Sequence, residues 1–240
     1  GYLYSKEELE ALGNLVKQHD LFLFSDEVYR EFCYDGQHHF SAMNLKGIDE
    51  NVVLLDSISK RYSACGARLG ALITKNKSVY GAALKFAQAR LSPPSWAQIM
   101  AEASLEVPDS YFEKVNKEYI ARRNLLVEEL NKMDWVLCPK PGGAFYTIAR
   151  LPIDNSDKFC QWLLESFSYN PAGSGAGNQT VMLAPATGFY ATPRLGQNEV
   201  RIAYVLNLTD LKNAMECLKQ ALVEYPGRML SNKKLVEEKV

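Results

Sequence analysis

The chain has 240 residues, of which 47% are hydrophobic, so it is long enough for one large domain or two smaller ones with real cores. Its 27 basic and 28 acidic residues leave a net charge of -1, which gives no electrostatic reason to expect binding to nucleic acid or to an anionic membrane. No apolar run reaches the ~18 residues that a membrane span needs, and the first ten residues lack the pattern of a signal peptide.

The cysteines and histidines do not predict a metal centre or a disulfide framework. Five cysteines are scattered singly, without the spacing of a zinc finger or a redox pair. An odd, scattered set suits reduced thiols and predicts a cytoplasmic protein. His38 and His39 are adjacent, so they cannot share a helix face as a His-x-x-x-His pair does, and we expect them in a solvated loop.

The first half of the chain alternates helical patterns with apolar runs, an order typical of an α/β sheet. Ser5 and Glu8 have the spacing of a capping box at the start of a helix. Short continuous apolar runs, which are typical of strands buried on both faces, follow at 21–24, 52–55 and 69–74.

The connection between the second and third predicted strands decides the direction of the third. It runs from Ser57 to Arg68, which is short for the crossover of a dozen or more residues that parallel neighbours need. We therefore predict that the third strand is antiparallel to the second, in a mixed sheet. The end of the second strand and the start of the third then lie at the same edge.

The second half is mostly helical, with a smaller set of strands. Helices are predicted at 79–91, 95–105, 109–133, 156–167 and 209–223, and strands at 135–138, 144–149, 181–183 and 200–205. The long helix at 109–133 marks a junction, so we predict an α/β domain at 1–108 and a smaller α+β domain at 109–240. The glycine-rich stretch 173–177 follows a helix and precedes a strand, the wrong order for a dinucleotide fingerprint, and predicts a surface loop.

Chemically versatile side chains gather at one edge of the predicted sheet. Asp26 and Tyr29 follow the first strand, Ser57 and Lys60 follow the second, and Arg68 precedes the third. Ligands of open α/β sheets bind outside the carboxyl ends of the strands. A lysine can form a Schiff base with an aldehyde cofactor, a carboxylate can keep a pyridine nitrogen protonated, and a hydroxyl with an arginine suits a phosphate.

These residues stand in four blocks that resemble the class I/II aminotransferases of fold type I, and aspartate aminotransferases in particular. The blocks are Ser-Asp-Glu-Val-Tyr at 25–29, Ser-Ile-Ser-Lys at 57–60, Gly-Ala-Arg-Leu-Gly at 66–70 and Val-Arg-Ile-Ala at 200–203. Each block is weak alone, but the four in this order and spacing are specific. The resemblance extends over nearly the whole chain and implies the carboxy-terminal part of the fold: part of the large cofactor domain, followed by the small domain.

The resemblance implies pyridoxal 5'-phosphate as the cofactor and assigns roles around it. Asp26 is expected to hold the pyridinium nitrogen, and Tyr29 to bond the phenolic oxygen. Lys60 is expected to hold the cofactor covalently and to move the proton. Ser57 and Arg68 are expected to bind the phosphate.

The resemblance also implies substrate contacts. Arg201 is expected to bind the α-carboxylate, and Gly143 and Phe145 resemble the segment near the substrate. Arg90 reads as an ordinary helix-end arginine rather than a second carboxylate clamp. The implied reaction is amino-group transfer between an amino acid, with aspartate as the expected one, and a 2-oxo acid such as 2-oxoglutarate. The implied assembly is a homodimer.

Two departures from the family pattern are visible. Ala67 stands where many members carry tryptophan. Gly1–Tyr4 resembles the end of the family's Asn-Pro-Thr-Gly segment, so we expect a fragment that lacks upstream cofactor contacts and most of the large-domain sheet. A partial sheet is expected to expose a hydrophobic edge and face and to self-associate.

Two alternatives stay open, and a third is excluded. A lyase or decarboxylase of the same fold would use the same Lys60 and Asp26. A catalytically inert folded fragment is the second. The Ser57-x-x-Lys60 spacing also occurs in serine β-lactamases and penicillin-binding proteins, but their Ser-Asp-Asn and Lys-Thr-Gly partners are absent from the sequence.

Overall fold

The structure is a computed structural model that describes residues 1–170 and 177–229. The chain divides into two units. The amino-terminal unit is Tyr2–Asn116 with Gly142–Ala144, and the carboxy-terminal unit is Gly1, Lys117–Pro141 and the described residues from Phe145 onward. The break between the two units falls inside the long helix, whereas the domain boundary expected before residue 109 stays a prediction.

The amino-terminal unit places helices around a short sheet. Its elements are α1 (Lys6–His19), β1 (Leu23–Asp26), β2 (Val52–Ser57), α2 (Ile58–Arg61), β3 (Gly70–Thr74), α3 (Lys77–Arg90), α4 (Ser95–Ser104) and the first residues of α5 (Asp109–Asn131). The capping box is confirmed: Ser5 Oγ accepts from Glu8 N at 3.2 Å, and Glu8 Oε2 accepts from Ser5 N at 2.7 Å.

The three strands form a mixed sheet in the order β1-β2-β3. β1 and β2 are parallel, with Asp26 opposite Leu55. β2 and β3 are antiparallel, with Ser57 opposite Gly70, which confirms the predicted direction of the third strand. β1 begins two residues later than the apolar run that predicted it, because the ladder starts only where Leu23 N bonds Asn51 O at 2.9 Å.

Burial differs between the strands of this sheet. Val52, Val53 and Leu54 of β2 are buried, as predicted for a strand covered on both faces. That prediction is wrong for the outer strands: Phe24 of β1 is 64% exposed and Ile73 of β3 is 42% exposed. The expected exposed hydrophobic edge and face are therefore confirmed.

The carboxy-terminal unit is an α+β layer with its own core. After the rest of α5 it contains β4 (Tyr146–Arg150), α6 (Ser156–Glu165), β5 (Ala184–Pro185), β6 (Glu199–Ala203) and α7 (Leu208–Glu224). Its sheet has the order β4-β6-β5 and is antiparallel throughout. Along β6, Val200 and Ile202 are buried while Arg201 is exposed, the alternation of a half-covered sheet.

Two predicted strands of this unit are wrong. Residues 135–138 form only an isolated bridge between Leu137 and Arg150, because Trp135 has a left-handed φ of 64° and the Asn131 side chain bonds both backbone groups of Cys138 at 2.9 Å. The strand predicted at 181–183 is replaced by β5 directly after it.

Some of the predicted features lie outside the described residues. Positions 171–176, which include most of the predicted glycine-rich surface loop, belong to this group, as do positions 230–240. Within the described ranges, none of the helices combines the length and the apolar character that crossing a bilayer requires.

Candidate functional site

The sheet of the amino-terminal unit brings the ends of three strands to one edge. Asp26 is the last residue of β1, and Ser57 is the last residue of β2. Arg68 precedes β3, which begins opposite Ser57 at Gly70. Because β1 and β2 are parallel and β3 returns antiparallel, this edge is the carboxyl end of the first two strands and the amino end of the third, as the sequence predicts.

Asp26 presents its carboxylate at the end of β1. The residue is exposed, and its Oδ1 accepts a hydrogen bond from Val28 N at 3.2 Å. Its Oδ2 has no hydrogen-bond partner within residues 1–170 and 177–229. One oxygen therefore fixes the turn after the strand, while the other is available to a ligand.

Tyr29 and Lys60 come together from different strands. Tyr29 lies in the turn after β1, where Phe32 N donates to Tyr29 O at 2.8 Å and closes the turn. Lys60 lies in α2, directly after β2. The Lys60 ammonium is 5.8 Å from the centroid of the Tyr29 ring, within the range of a cation–π contact. Both residues are half-buried.

Ser57 ends β2 and caps the short helix that carries Lys60. Its hydroxyl donates to Leu69 O at 2.9 Å and accepts from Ser59 N at 3.1 Å. The Ser59 hydroxyl oxygen lies 2.8 Å from Ser57 Oγ. Ser57 thus ties α2 to the residue before β3, and its hydroxyl must rotate away from Leu69 to bond an added anion.

Arg68 enters β3 from a left-handed conformation. Its φ of 54° follows the short 3-10 turn Cys65–Ala67, and such a conformation is uncommon for any residue other than glycine. The guanidinium is exposed and donates to Cys65 O at 2.9 Å.

Arg201 belongs to the carboxy-terminal unit, on the exposed face of β6. Its guanidinium carbon is 5.7 Å from the Tyr146 ring and 4.9 Å from the Phe189 ring. These two rings restrict the orientation of a guanidinium that stays open to an anion. In the same unit the Phe145 ring stacks on Tyr119 at 5.4 Å.

His38 and His39 lie in a loop, as expected, and His38 is exposed, but the expected solvation is wrong for His39, whose side chain is 23% exposed. His39 Nε2 donates to Glu27 Oε2 at 2.7 Å, and Glu27 is only 3% exposed. Glu27 Oε1 also accepts from Ala42 N at 2.9 Å, from Ser41 Oγ at 3.0 Å and from Ser25 Oγ at 3.1 Å. A buried carboxylate needs such partners, and two of them lie in the segment just after His39.

This set of bonds determines the ionisation of Glu27. Burial by itself raises the pKa of the carboxyl, but the hydrogen bonds from His39, Ala42 and Ser41 outweigh it, and the net pKa lies below the ordinary value. The carboxylate is the residue after Asp26 in the chain, so it anchors the end of β1. The sequence signal for this bonded carboxylate was an acidic residue beside a strand end, followed later by the His-x-Ser pattern of His39 and Ser41.

Four further charged residues at this edge were not predicted from the sequence. We call Arg30, Glu31, Asp56 and Arg61 the charge square. Arg61 Nη2 donates to Asp56 Oδ2 at 2.8 Å, whereas Arg61 Nε approaches Glu31 Oε1 to 3.1 Å as an ion pair without hydrogen-bond geometry. Arg30 lies 3.4 Å from each of the same two carboxylates. The available signal was that each member is a sequence neighbour of a candidate residue or of another member.

A cavity of about 340 Å³ lies beside Asp26 within the amino-terminal unit. Tyr29, Phe24, Tyr4 and Gly143 contribute to its wall. A Cβ added at Gly143 would stand 2.8 Å from Phe32 O, so only glycine permits this close approach. Gly143 therefore lies beside the predicted cofactor residues.

The donor set of this edge fits pyridoxal phosphate in chemical type. A free carboxylate oxygen, a phenol next to an amine, a hydroxyl and an exposed guanidinium are the groups suited to a pyridinium nitrogen, a ring oxygen, an aldehyde and a phosphate. Over residues 1–170 and 177–229, no group of three or more His, Cys, Asp or Glu residues is arranged to hold a metal ion.

The mixed sheet followed by an α+β unit is the fold of the fold type I aminotransferases. An aromatic aminotransferase from Pyrococcus horikoshii OT3 superposes with a TM-score of 0.78 at 30% identity, over 93% of this chain and 57% of that one. The family described as aminotransferase class I and II matches residues 1–218. The chain belongs to this family, whose members use pyridoxal phosphate.

The relatives carry the names of aminotransferases with different substrates. An aspartate aminotransferase from Pyrococcus horikoshii is 28% identical over 226 residues, covering 92% of this chain and 54% of that protein. An aromatic-amino-acid aminotransferase from Thermococcus litoralis is 29% identical over 229 residues, covering 93% and 54%. The chain therefore spans about half the length of the curated relatives that it matches.

Proposed function

We propose that this chain carries half of the active site of an aminotransferase that moves an amino group between an amino acid and a 2-oxo acid. The observation that supports the proposal best is the approach of Lys60 to Tyr29 at 5.8 Å, on the sheet edge that Asp26 also ends. Aspartate with 2-oxoglutarate is the proposed substrate pair, since aspartate aminotransferases are among the relatives.

Five residues would hold the cofactor: Asp26, Tyr29, Ser57, Lys60 and Arg68. Bound pyridoxal phosphate supplies a pyridine ring that withdraws electrons from the carbon bearing the amino group. The free oxygen of Asp26 would keep the proton on the ring nitrogen, and the Tyr29 hydroxyl would donate to the ring oxygen. Ser57 and Arg68 would bind the phosphate once the serine hydroxyl leaves Leu69.

Lys60 would act twice, since it would hold the cofactor and then move a proton. Its amine is a base when neutral, so it could take the proton from the α-carbon of the substrate and deliver it to a carbon of the cofactor. The Tyr29 ring beside it limits the directions in which the side chain can point, and the short helix α2 fixes its backbone. Arg201 would bind the α-carboxylate, which its support by two aromatic rings suits.

Covalent trapping tests the cofactor assignment. Purified chain incubated with pyridoxal phosphate and reduced with borohydride is expected to carry the cofactor mass on the peptide containing Lys60. Lys60→Ala should abolish this modification. Lys85→Ala, which removes an exposed lysine of α3, should leave it unchanged. Absence of labelling at Lys60 in the unsubstituted chain would favour the inert-fragment alternative.

The products formed from aspartate test the reaction type. Amino transfer converts aspartate to oxaloacetate, whereas β-decarboxylation gives alanine and carbon dioxide. We expect oxaloacetate, together with the pyruvate that forms from it spontaneously, in an amount equal to the loaded cofactor, and no alanine. Phenylalanine assayed in parallel tests the substrate, because aromatic aminotransferases are also among the relatives.

The assembly and location of the full-length protein belong to the same proposal. We expect a homodimer in the cytoplasm, as the family resemblance implies. The exposed apolar residues of β1 and β3 also predict self-association of this chain. Sedimentation velocity over a range of concentrations checks this, and a monomer at the highest concentration contradicts it.

A further inference from the structure

The charge square connects the two segments that carry the candidate residues Tyr29 and Lys60. Arg30 and Glu31 directly follow Tyr29 in the turn after β1. Asp56 and Arg61 frame the segment from Ser57 to Lys60. Each arginine contacts a carboxylate of its own segment and a carboxylate of the other, so the two segments are held by cross-linked ion pairs.

Burial distinguishes this cluster from ordinary surface ion pairs. The Arg61 and Asp56 side chains are each 13% exposed, and those of Arg30 and Glu31 are each 33% exposed. In the same unit, the Lys75–Asp49 pair has exposures of 57% and 47%. Partly buried pairs are less screened by water and salt, and pairs joined in a network restrict each other.

Asp56 also acts on the backbone of the site. Its Oδ2 faces both arginines, while its Oδ1 accepts from Ser57 N at 2.8 Å. The carboxylate therefore fixes the residue that caps α2. Loss of the arginines would free Asp56 to rotate and would release the cap from the turn that carries Tyr29.

We infer that the charge square is a positioning device, which locks the Tyr29 turn against α2 so that the phenol and the Lys60 amine keep their mutual placement. None of its four members touches the cofactor in this assignment, so they are positioning residues. The inference rests on the proposed function for the roles of Tyr29 and Lys60. The locking itself is a property of the chain without cofactor.

Hydrogen–deuterium exchange of the cofactor-free chain tests the locking. Arg61→Met removes both short ion pairs while keeping the length of the side chain. Amides of the two segments, including Phe32 N bonded to Tyr29 O and Tyr62 N bonded to Ile58 O, are expected to exchange about fivefold faster in the variant. The matched control is Asp49→Asn, which should leave both segments unchanged.

The milder variant Glu31→Gln distinguishes release of the lock from a general loss of folding. It removes one carboxylate of the square and should accelerate exchange in the same two segments by a smaller factor, while α6 and α7 keep their protection. Acceleration confined to the segment of the substituted residue would overturn the inference, because a lock must release both sides together.

A coupling measurement separates positioning from a structural role. As a single substitution, Tyr29→Phe is expected to weaken the binding of pyridoxal phosphate, measured by titration and borohydride trapping. In a chain that already carries Arg61→Met, Tyr29→Phe should reduce the affinity for pyridoxal phosphate by a factor at least about threefold smaller, because the hydroxyl is no longer held in place. Equal effects in both backgrounds would overturn the positioning role. If the unsubstituted chain takes no cofactor, the proposed function fails, while the exchange experiment still decides the lock.

Discussion

The two units bury their apolar residues to different extents. In the carboxy-terminal unit, one continuous core joins α5, α6 and α7 to β4 and β6, with Leu126, Phe159 and Leu218 fully buried. In the amino-terminal unit, the core cluster is small, consisting of Val16, Ala42, Leu45, Ile48 and Val52. The candidate cofactor residues stand on the second kind of scaffold. Ion pairs and a hydrogen bond connect the segments that carry Tyr29, Ser57 and Lys60.

Thiol reactivity should show this difference most strongly. Cys65 is exposed in the amino-terminal unit, whereas Cys138, Cys160 and Cys217 are buried in the core of the other. Burial raises the pKa of Cys160 to about 11 and that of Cys217 to about 11, so few thiolates form at pH 8. We expect an aromatic disulfide reagent to label Cys65 at least about 1000-fold faster than these three, which react only after unfolding.

The proposed difference between the two units is contradicted if the buried cysteines react at the rate of Cys65 under native conditions. The denatured chain serves as the control, because all five thiols are then accessible. Peptide mapping after timed quenching identifies each labelled cysteine.

Truncation of aromatic side chains measures the same difference as stability. Phe159→Ala removes a fully buried ring that contacts Trp162 and Tyr225. We expect a loss of about 3–5 kcal/mol in the free energy of unfolding, measured by urea denaturation. Phe24→Ala removes a ring that is 64% exposed and should change stability by less than about 1 kcal/mol. Similar losses in the two variants would contradict the difference in cores.

Loss of the Glu27 carboxylate should have an intermediate effect. Glu27→Gln is expected to cost about 1.5–3 kcal/mol at pH 7, because it removes charge-assisted hydrogen bonds from His39 and Ser41. The folded-state pKa of Glu27 lies below its ordinary value, so its contribution is complete above the ordinary pKa and is lost as the pH falls through the folded one.

The pH dependence sharpens this prediction. The stability difference between Glu27→Gln and the unsubstituted chain should shrink as the pH is lowered below about 4.3. Glu10→Gln is the control, since Glu10 forms an exposed pair with Lys6 at 3.7 Å. A difference that persists unchanged at pH 3 would show that the charge of Glu27 is not the cause.

Much of the fold could be predicted from the sequence, since apolar periodicity and caps are local signals. Helices α3 to α7 lie within a few residues of their predicted bounds, and the short link from Ser57 to Arg68 correctly predicts an antiparallel third strand. The strand prediction for residues 135–138 failed because the Asn131 side chain, rather than a neighbouring strand, is the hydrogen-bond partner of Cys138. A side chain that bonds backbone across a turn leaves no periodic signal.

The candidate site was predictable in part. Asp26, Ser57 and Arg68 could be assigned to one edge because strand ends follow from strand directions. Their roles stay predictions. The charge square was missed because its two segments are far apart in sequence, and the Glu27–His39 pair was missed because the adjacent histidines were expected in a solvated loop. Only the folded chain shows that these charges face each other.

The antiparallel return of β3 has a consequence for the order of folding. Ser57 pairs with Gly70, so the loop that carries Lys60 and Arg68 closes over a short stretch of chain, whereas Asp26 must meet Leu55 across a much longer one. Loop closure costs less entropy for short loops, and local contacts form faster. We expect the lysine and arginine portion to assemble early in refolding, before the aspartate strand docks and completes the pair of parallel strands.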